Sequence, residues 1–155
     1  MQLLNRAAKF TSNINDLKRV YLTYILNLLD QSAVVWHSSL SKKNERDLER
    51  IQKVAVKMIL GKSYLNYNDG LQKLRLKKLN LRRQNICLNF AKKCLKNNKV
   101  KHFFNENYKI HKMNKRSKNI FKEKRSRTKR FQQSAIPYMT RLLNNDCKKK
   151  KKIIG

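Results

Sequence analysis

A chain of 155 residues holds one domain with a real core more readily than two. Its formal charge of +30 calls for a polyanionic partner, nucleic acid first and an anionic membrane surface second. Three Gly and one Pro argue against a sheet fold with many tight turns, and no apolar run reaches the roughly 18 residues of a membrane span. The three Cys, at unmatched spacings, point to a reducing, intracellular setting, nucleus or cytoplasm, without a disulfide framework. Composition also tempers the charge. The chain has 27 Lys against 12 Arg, and 18 Asn. Lys and Asn both use A-rich codons, so a biased genome accounts for a share of the cations, and Lys is the weaker choice for bidentate phosphate recognition.

The opening "MQLLNRAAKF" is too short and too interrupted for a signal peptide. Leu17, Val20, Tyr21, Tyr24 and Leu28 then recur at steps of three and four, which predicts a helix over 14–38 with Asn13 as its N-cap and Asp16 in its first turn. Leu48, Ile51, Ala55, Met58 and Ile59 predict a second long helix, capped by Ser41 and closed by Gly61. A short helix follows over 68–74 and a longer one over 81–96, with Ile86, Cys87, Phe90, Ala91, Cys94 and Leu95 as its apolar side. "VKHFF" adds a last turn. No stretch alternates with period two, so the expected fold is all-α: a small helical bundle over 1–104.

The character changes near Asn105. Residues 105–155 carry a net +14, against +16 for the first 104. Apolar residues this sparse do not offset the entropy of ordering, which predicts a flexible basic tail over 105–155. The stretch "SAIPYMTRLLN" is the exception, and predicts a short docking helix over 134–144.

In "WHSS", Trp36 to Ser39, a serine nucleophile would need a histidine on its own helix face, an orienting acid and an oxyanion hole. Neighbours in sequence do not share a face. The stretch therefore reads as a junction between helices, with Trp36 packed at a helix end. Cys87 and Cys94 lie about 10 Å apart along a helix axis, too far for a disulfide, and with His102 and His111 they miss the short paired spacings of zinc sites. The nine acids show no converging carboxylates for two-metal chemistry, and there is no Gly-rich phosphate loop. No catalytic residue, metal or cofactor is expected.

Three stretches in this order then carry a resemblance: "VYLTYILNLLDQSAVVWHSSLSKKNERDLERIQKVAVKMILG", "YNDGLQKLRLKKLNLRRQNICLNFAKKCLKN" and "RSKNIFKEKRSRTKRFQQSAIPYMTRLLN". Together they resemble the C-terminal part, thumb and tail, of reverse transcriptases from jockey-like non-LTR retrotransposons. The family's Tyr-rich helix ending in a Val-Trp step matches Val20 to Trp36. Its Leu-Glu-x-x-Gln helix matches Leu48, Glu49 and Gln52, and its paired arginines match Arg82 and Arg83. The chain departs from the pattern at Asp30-Gln31, where the family has Glu-Tyr. It also has no adjacent aspartates of the kind that bind metal in the family's palm. The resemblance therefore implies a thumb-like, nucleic-acid-binding piece of an RNA-directed DNA polymerase, not an enzyme by itself, whose catalytic palm lies upstream and is its structural partner.

The expected partner is RNA or DNA held through phosphates, with no membrane and no small-molecule substrate. The expected contacts are Arg82, Arg83, Lys92 and Lys93 on the 81–96 helix, and Arg125, Arg127, Lys129 and Arg130 in the tail. The alternative is a free-standing basic helical RNA-binding protein, for which charge is the only tool. A membrane or nuclear-import role for "KKKKKII" is the third reading.

Overall fold

The computed structural model describes residues 2–104 and 119–154, with side chains as far as Lys149. Its regular elements are helices, with no strand among the described residues. The helices are Gln2–Phe10 (α1), Ile14–Val20 (α2), Asn27–Asp30 (α3), Ala33–Trp36 (α4), Lys42–Leu60 (α5), Tyr67–Lys73 (α6), Leu79–Lys96 (α7), Lys129–Gln132 (α8) and Ala135–Ile154 (α9). Two compact units divide the chain: one comprises residues 1–33 and 40–83, the other 34–39 and 84–155. The division thus falls inside α7, at Arg83, and not near Asn105 where the composition changes.

Local chemistry sets the helix ends. The Asn13 side chain accepts from the Asn15 N–H (2.9 Å) and the Ser41 hydroxyl from the Asn44 N–H (3.1 Å), both as the sequence predicts. Asn66 caps α6 in the same way. Gly61 closes α5 at φ +50°, a conformation that disfavours a side chain. Arg75 takes the left-handed position after α6 at φ 52°, and the Leu76 N–H reaches back to the Leu71 carbonyl (2.8 Å). That is the six-to-one bond of a Schellman ending, with an arginine where glycine is usual.

The helix expected over 14–38 differs in two ways. Between Tyr21 and Leu26 it winds as a π-helix, and i→i+5 pairing widens the turn. The buried series therefore runs Leu17, Tyr21, Leu26, while Tyr24 and Leu28, assigned inward by a 3.6-residue period, are 58% and 70% exposed. The helix also ends at Asp30, because Ser32 turns left-handed at φ 53°.

In the first unit, Leu4, Leu17, Tyr21 and Leu26 pack with Ala55, Val56, Ile59 and Leu60 of α5 and with Leu71, Leu74 and Leu79. The polar residues of the Leu48-Glu49-x-x-Gln52 stretch bind this core to the next segment. Glu49 accepts from the Tyr67 hydroxyl and from the Leu79 N–H (3.1 Å), holding the first residues of α6 and α7. Gln52, 1% exposed, donates to the Lys77 carbonyl (3.1 Å). The α5–α6 approach is close enough to require glycine: a Cβ on Gly70 would sit 2.5 Å from Val56 Cγ1.

The second unit has its own core: Cys87 and Ala91 of α7, Phe104, Phe121, and Met139 and Leu143 of α9. The docking helix expected over 134–144 is thus present and longer, with Pro137 in its first turn, where a missing N–H costs nothing. Of the expected flexible tail, residues 105–118 lie outside the described residues, whereas Phe121, Met139 and Leu143 are core. The "WHSS" stretch belongs to this unit. His37 is 7% exposed and meets Tyr138 edge-on at 5.7 Å, the Ser39 hydroxyl donates to the Trp36 carbonyl (2.9 Å), and Trp36 is partly buried.

Two predictions follow from the first unit. Gly70→Ala gains helix propensity but forces the stiff Val56 side chain aside, and denaturant unfolding should show a net loss of about 1–3 kcal/mol. In a Val56→Ala background the same change should be neutral or stabilising. Equal losses in both backgrounds would contradict the close approach. The second concerns alkaline pH. Burial, then the hydrogen bond and charge of Glu49, push the Tyr67 hydroxyl well above the usual tyrosine range. A raised folded-state value contributes stability that is present below the unfolded value, about 10, and is lost as pH rises above it. Tyr67→Phe should cost about 2 kcal/mol at neutral pH, as for a hydrogen bond to a charged group, with the difference from the native chain shrinking above about pH 10.

Candidate nucleic-acid interface

The eight cations expected to contact nucleic acid fall into three environments. Arg83 is completely buried, 0% exposed, so its guanidinium has no surface to offer a phosphate. This is a correction: Arg83 is expected from the sequence to contact phosphate together with Arg82, but adjacent helical residues point about 100° apart, and Arg83 points inward. Arg82 is 45% exposed, with its Nε on the Asp30 carboxylate. Lys92 likewise holds Asp146 at 2.8 Å. Lys93 is exposed and makes no ion pair among the described residues. Arg82 and Arg83 belong to the first unit, and the other six candidates to the second.

The remaining four, Arg125, Arg127, Lys129 and Arg130, are all exposed, and none has an acidic partner among the described residues. They continue from Lys122 and Lys124, also exposed, so residues 122–130 present six cations and one acid along an irregular segment leading into α8. Of these six, Arg125, Arg127, Lys129 and Arg130 are expected from the sequence, and Lys122 and Lys124 are not. Arg141 extends the set from α9, its Nη2 donating to the Gln132 carbonyl (2.9 Å). Lys124, Arg125, Ser126, Gln132, Pro137 and Arg141, with Glu123, line a groove of about 350 Å³.

A buried polar clamp holds this segment. Asn144 of α9, 2% exposed, accepts the Phe121 N–H on Oδ1 (2.9 Å) and donates from Nδ2 to the Phe121 carbonyl (3.1 Å) and to Glu123 Oε1 (3.0 Å). Asn119 donates to the same Glu123 oxygen (3.1 Å). The one acid of the segment is therefore tied by two amides, and Phe121 anchors the chain in the core. At the far end, Thr128 caps α8 by accepting the Phe131 N–H (3.2 Å). The Asn144 signal was invisible in sequence, where "LLNND" is an ordinary polar step in a helix.

The arrangement offers charge and hydrogen-bond donors. No group of three or more His, Cys, Asp or Glu side chains that could hold a metal occurs among the described residues, and Cys87 and Cys94 belong to the packing of the second core. No helix among the described residues is long and apolar enough to cross a membrane. No family model, curated protein or solved structure matches the chain.

The clamp generates a prediction. Asn144→Ala strands the buried Phe121 N–H and carbonyl, each worth about 1–3 kcal/mol when left unsatisfied. The variant should unfold at lower denaturant concentration, and trypsin should cut residues 122–130 faster than in the native chain. Unchanged cleavage would show that Asn144 does not hold the segment.

Proposed function

We propose that the chain binds nucleic acid through phosphates and acts without catalysing a reaction itself. The observation that carries this reading is the run of six exposed cations in residues 122–130, whose single acid is bound by Asn144 and Asn119. Cations without carboxylate partners are free to neutralise phosphates, and release of the cations condensed on the nucleic acid is what drives sequence-independent binding. In this reading Arg125, Arg127, Lys129 and Arg130 make the principal contacts, Lys93 adds to them, and Arg82 and Lys92 contribute only if they leave Asp30 and Asp146. Arg83 serves the fold.

The resemblance to the thumb and tail of jockey-like non-LTR reverse transcriptases supports the more specific form of the proposal: a nucleic-acid-binding C-terminal piece of an RNA-directed DNA polymerase, working beside a palm in the nucleus or cytoplasm. The matched Leu-Glu-x-x-Gln stretch serves here as a clamp, which suits a thumb whose helices must hold a fixed arrangement. The second reading, a free-standing basic RNA-binding protein, is favoured by one observation: each unit builds a hydrophobic core from this chain alone. Both readings share the binding surface.

A filter-binding salt titration tests the shared claim. Affinity for RNA or DNA should fall by roughly 10³ between 50 and 200 mM salt if about six phosphates are engaged. Changing Arg125, Arg127, Lys129 and Arg130 together to Gln should lower the salt slope by about three to four, about equally for every sequence, since phosphate contacts position without specifying. An unchanged slope would place the binding elsewhere on the chain.

A further inference from the structure

Two of the exposed aromatic side chains of the second unit, neither of them part of its core, adjoin the cationic segment. Phe131, immediately after Arg130, is 44% exposed. Its backbone is fixed on both sides: its N–H donates to Thr128 Oγ1 (3.2 Å) and its carbonyl accepts from Ser134 Oγ (2.7 Å). Phe103 is 41% exposed and lines a small cleft together with Lys122 and Lys124. His102 lies against it, ring centroids 4.2 Å apart. An isolated exposed phenylalanine is ordinary on a protein surface. Two of them, one beside the first cations of the run and the other following its last, make a different pattern: ring, six cations, ring.

We propose that this surface selects single-stranded nucleic acid, with Phe103 and Phe131 as stacking platforms for unpaired bases while the cations of residues 122–130 and Arg141 hold the backbone. The inference rests on the nucleic-acid reading above and narrows its ligand. A duplex keeps its base faces inside the stack, so it can use the cations but not the rings. A single strand can use both, and base–aromatic stacking tolerates any sequence because every base has a π-face. The fixed backbone at Phe131 reduces the ordering cost of presenting its ring. RNA and DNA single strands offer the same chemistry to this surface, since neither ring reads the 2′-hydroxyl.

The test uses the full chain and fluorescein-labelled oligonucleotides of about 20 nucleotides, long enough to cover several single-strand site lengths: mixed-sequence RNA, mixed-sequence DNA, and a DNA duplex of the same length. Phe103→Ala and Phe131→Ala are compared with the native chain by anisotropy, with thermal unfolding as the check that these exposed positions leave the fold intact. Each change should weaken single-strand binding roughly 5- to 100-fold and leave duplex affinity within about twofold. Phe131→Trp should retain single-strand affinity and lose indole fluorescence on binding. Losses equal for single strand and duplex, or no loss at all, would overturn the stacking inference while leaving the phosphate reading intact. If the native chain binds none of the three probes at 50 mM salt, both fail together. A preference for RNA over DNA of the same sequence would overturn the claim that bases and phosphates alone are recognised.

Discussion

The Glu49 carboxylate is the point on which the first unit depends. One oxygen receives the Tyr67 hydroxyl and the other the first N–H of α7, so a single side chain of α5 fixes where the next two helices begin. The N–H it satisfies belongs to a helix start, which carries partial positive charge and otherwise orphaned donors. Gln52, one turn further along, takes the Lys77 carbonyl. Together they pin the chain between α6 and α7 against the helix they sit on, and the left-handed turn at Arg75 brings that chain into reach. Burial, then the charge of Asp30 and last that of the same Glu49 carboxylate, push the Tyr21 hydroxyl above the usual tyrosine range.

The wider constraint is that acids are scarce. With nine carboxylates against 39 cations, few acids are available, and several of those described join one element to another. Asp30 takes Arg82, Asp69 takes Lys73 one turn away, Asp146 takes Lys92, and Glu123 is bound by two asparagines. Asp16 and Glu45 occupy first helical turns. Ion pairs as exposed as Asp69–Lys73 contribute little to stability, so their effect is mainly on geometry. The cations of residues 122–130 are exposed and make no ion pair among the described residues, which is the feature the proposed function rests on.

Much of this was legible in the sequence, and what was missed has identifiable physics. The caps at Asn13 and Ser41 and the ending at Gly61 are local signals and were read correctly. The π-helical stretch at Tyr21 was not, because a widened turn shifts the buried face without any change in residue type, so Tyr24 and Leu28 were assigned inward. The burial of Arg83 leaves no sign in the sequence, because burial of a guanidinium is rare. The tail was judged on its own composition, but Phe121, Met139 and Leu143 complete a core begun by Cys87, Ala91 and Phe104, so the apolar area they bury is supplied from elsewhere in the chain. The Glu49–Leu79 and Asn144–Phe121 contacts, 30 and 23 residues apart in sequence, leave no periodic trace.

In the proposed function the ordered cations of residues 122–130, which make no ion pair among the described residues, and not total charge, form the interface. Backbone amide chemical shifts followed while an unlabelled RNA single strand is added to the ¹⁵N-labelled chain test it most directly. The largest changes should fall in residues 122–131 and at Phe103, with Leu79, Arg83 and the amides of α5 nearly still. Small changes spread evenly over every exposed lysine, or changes concentrated at Arg82 and Lys92, would contradict it.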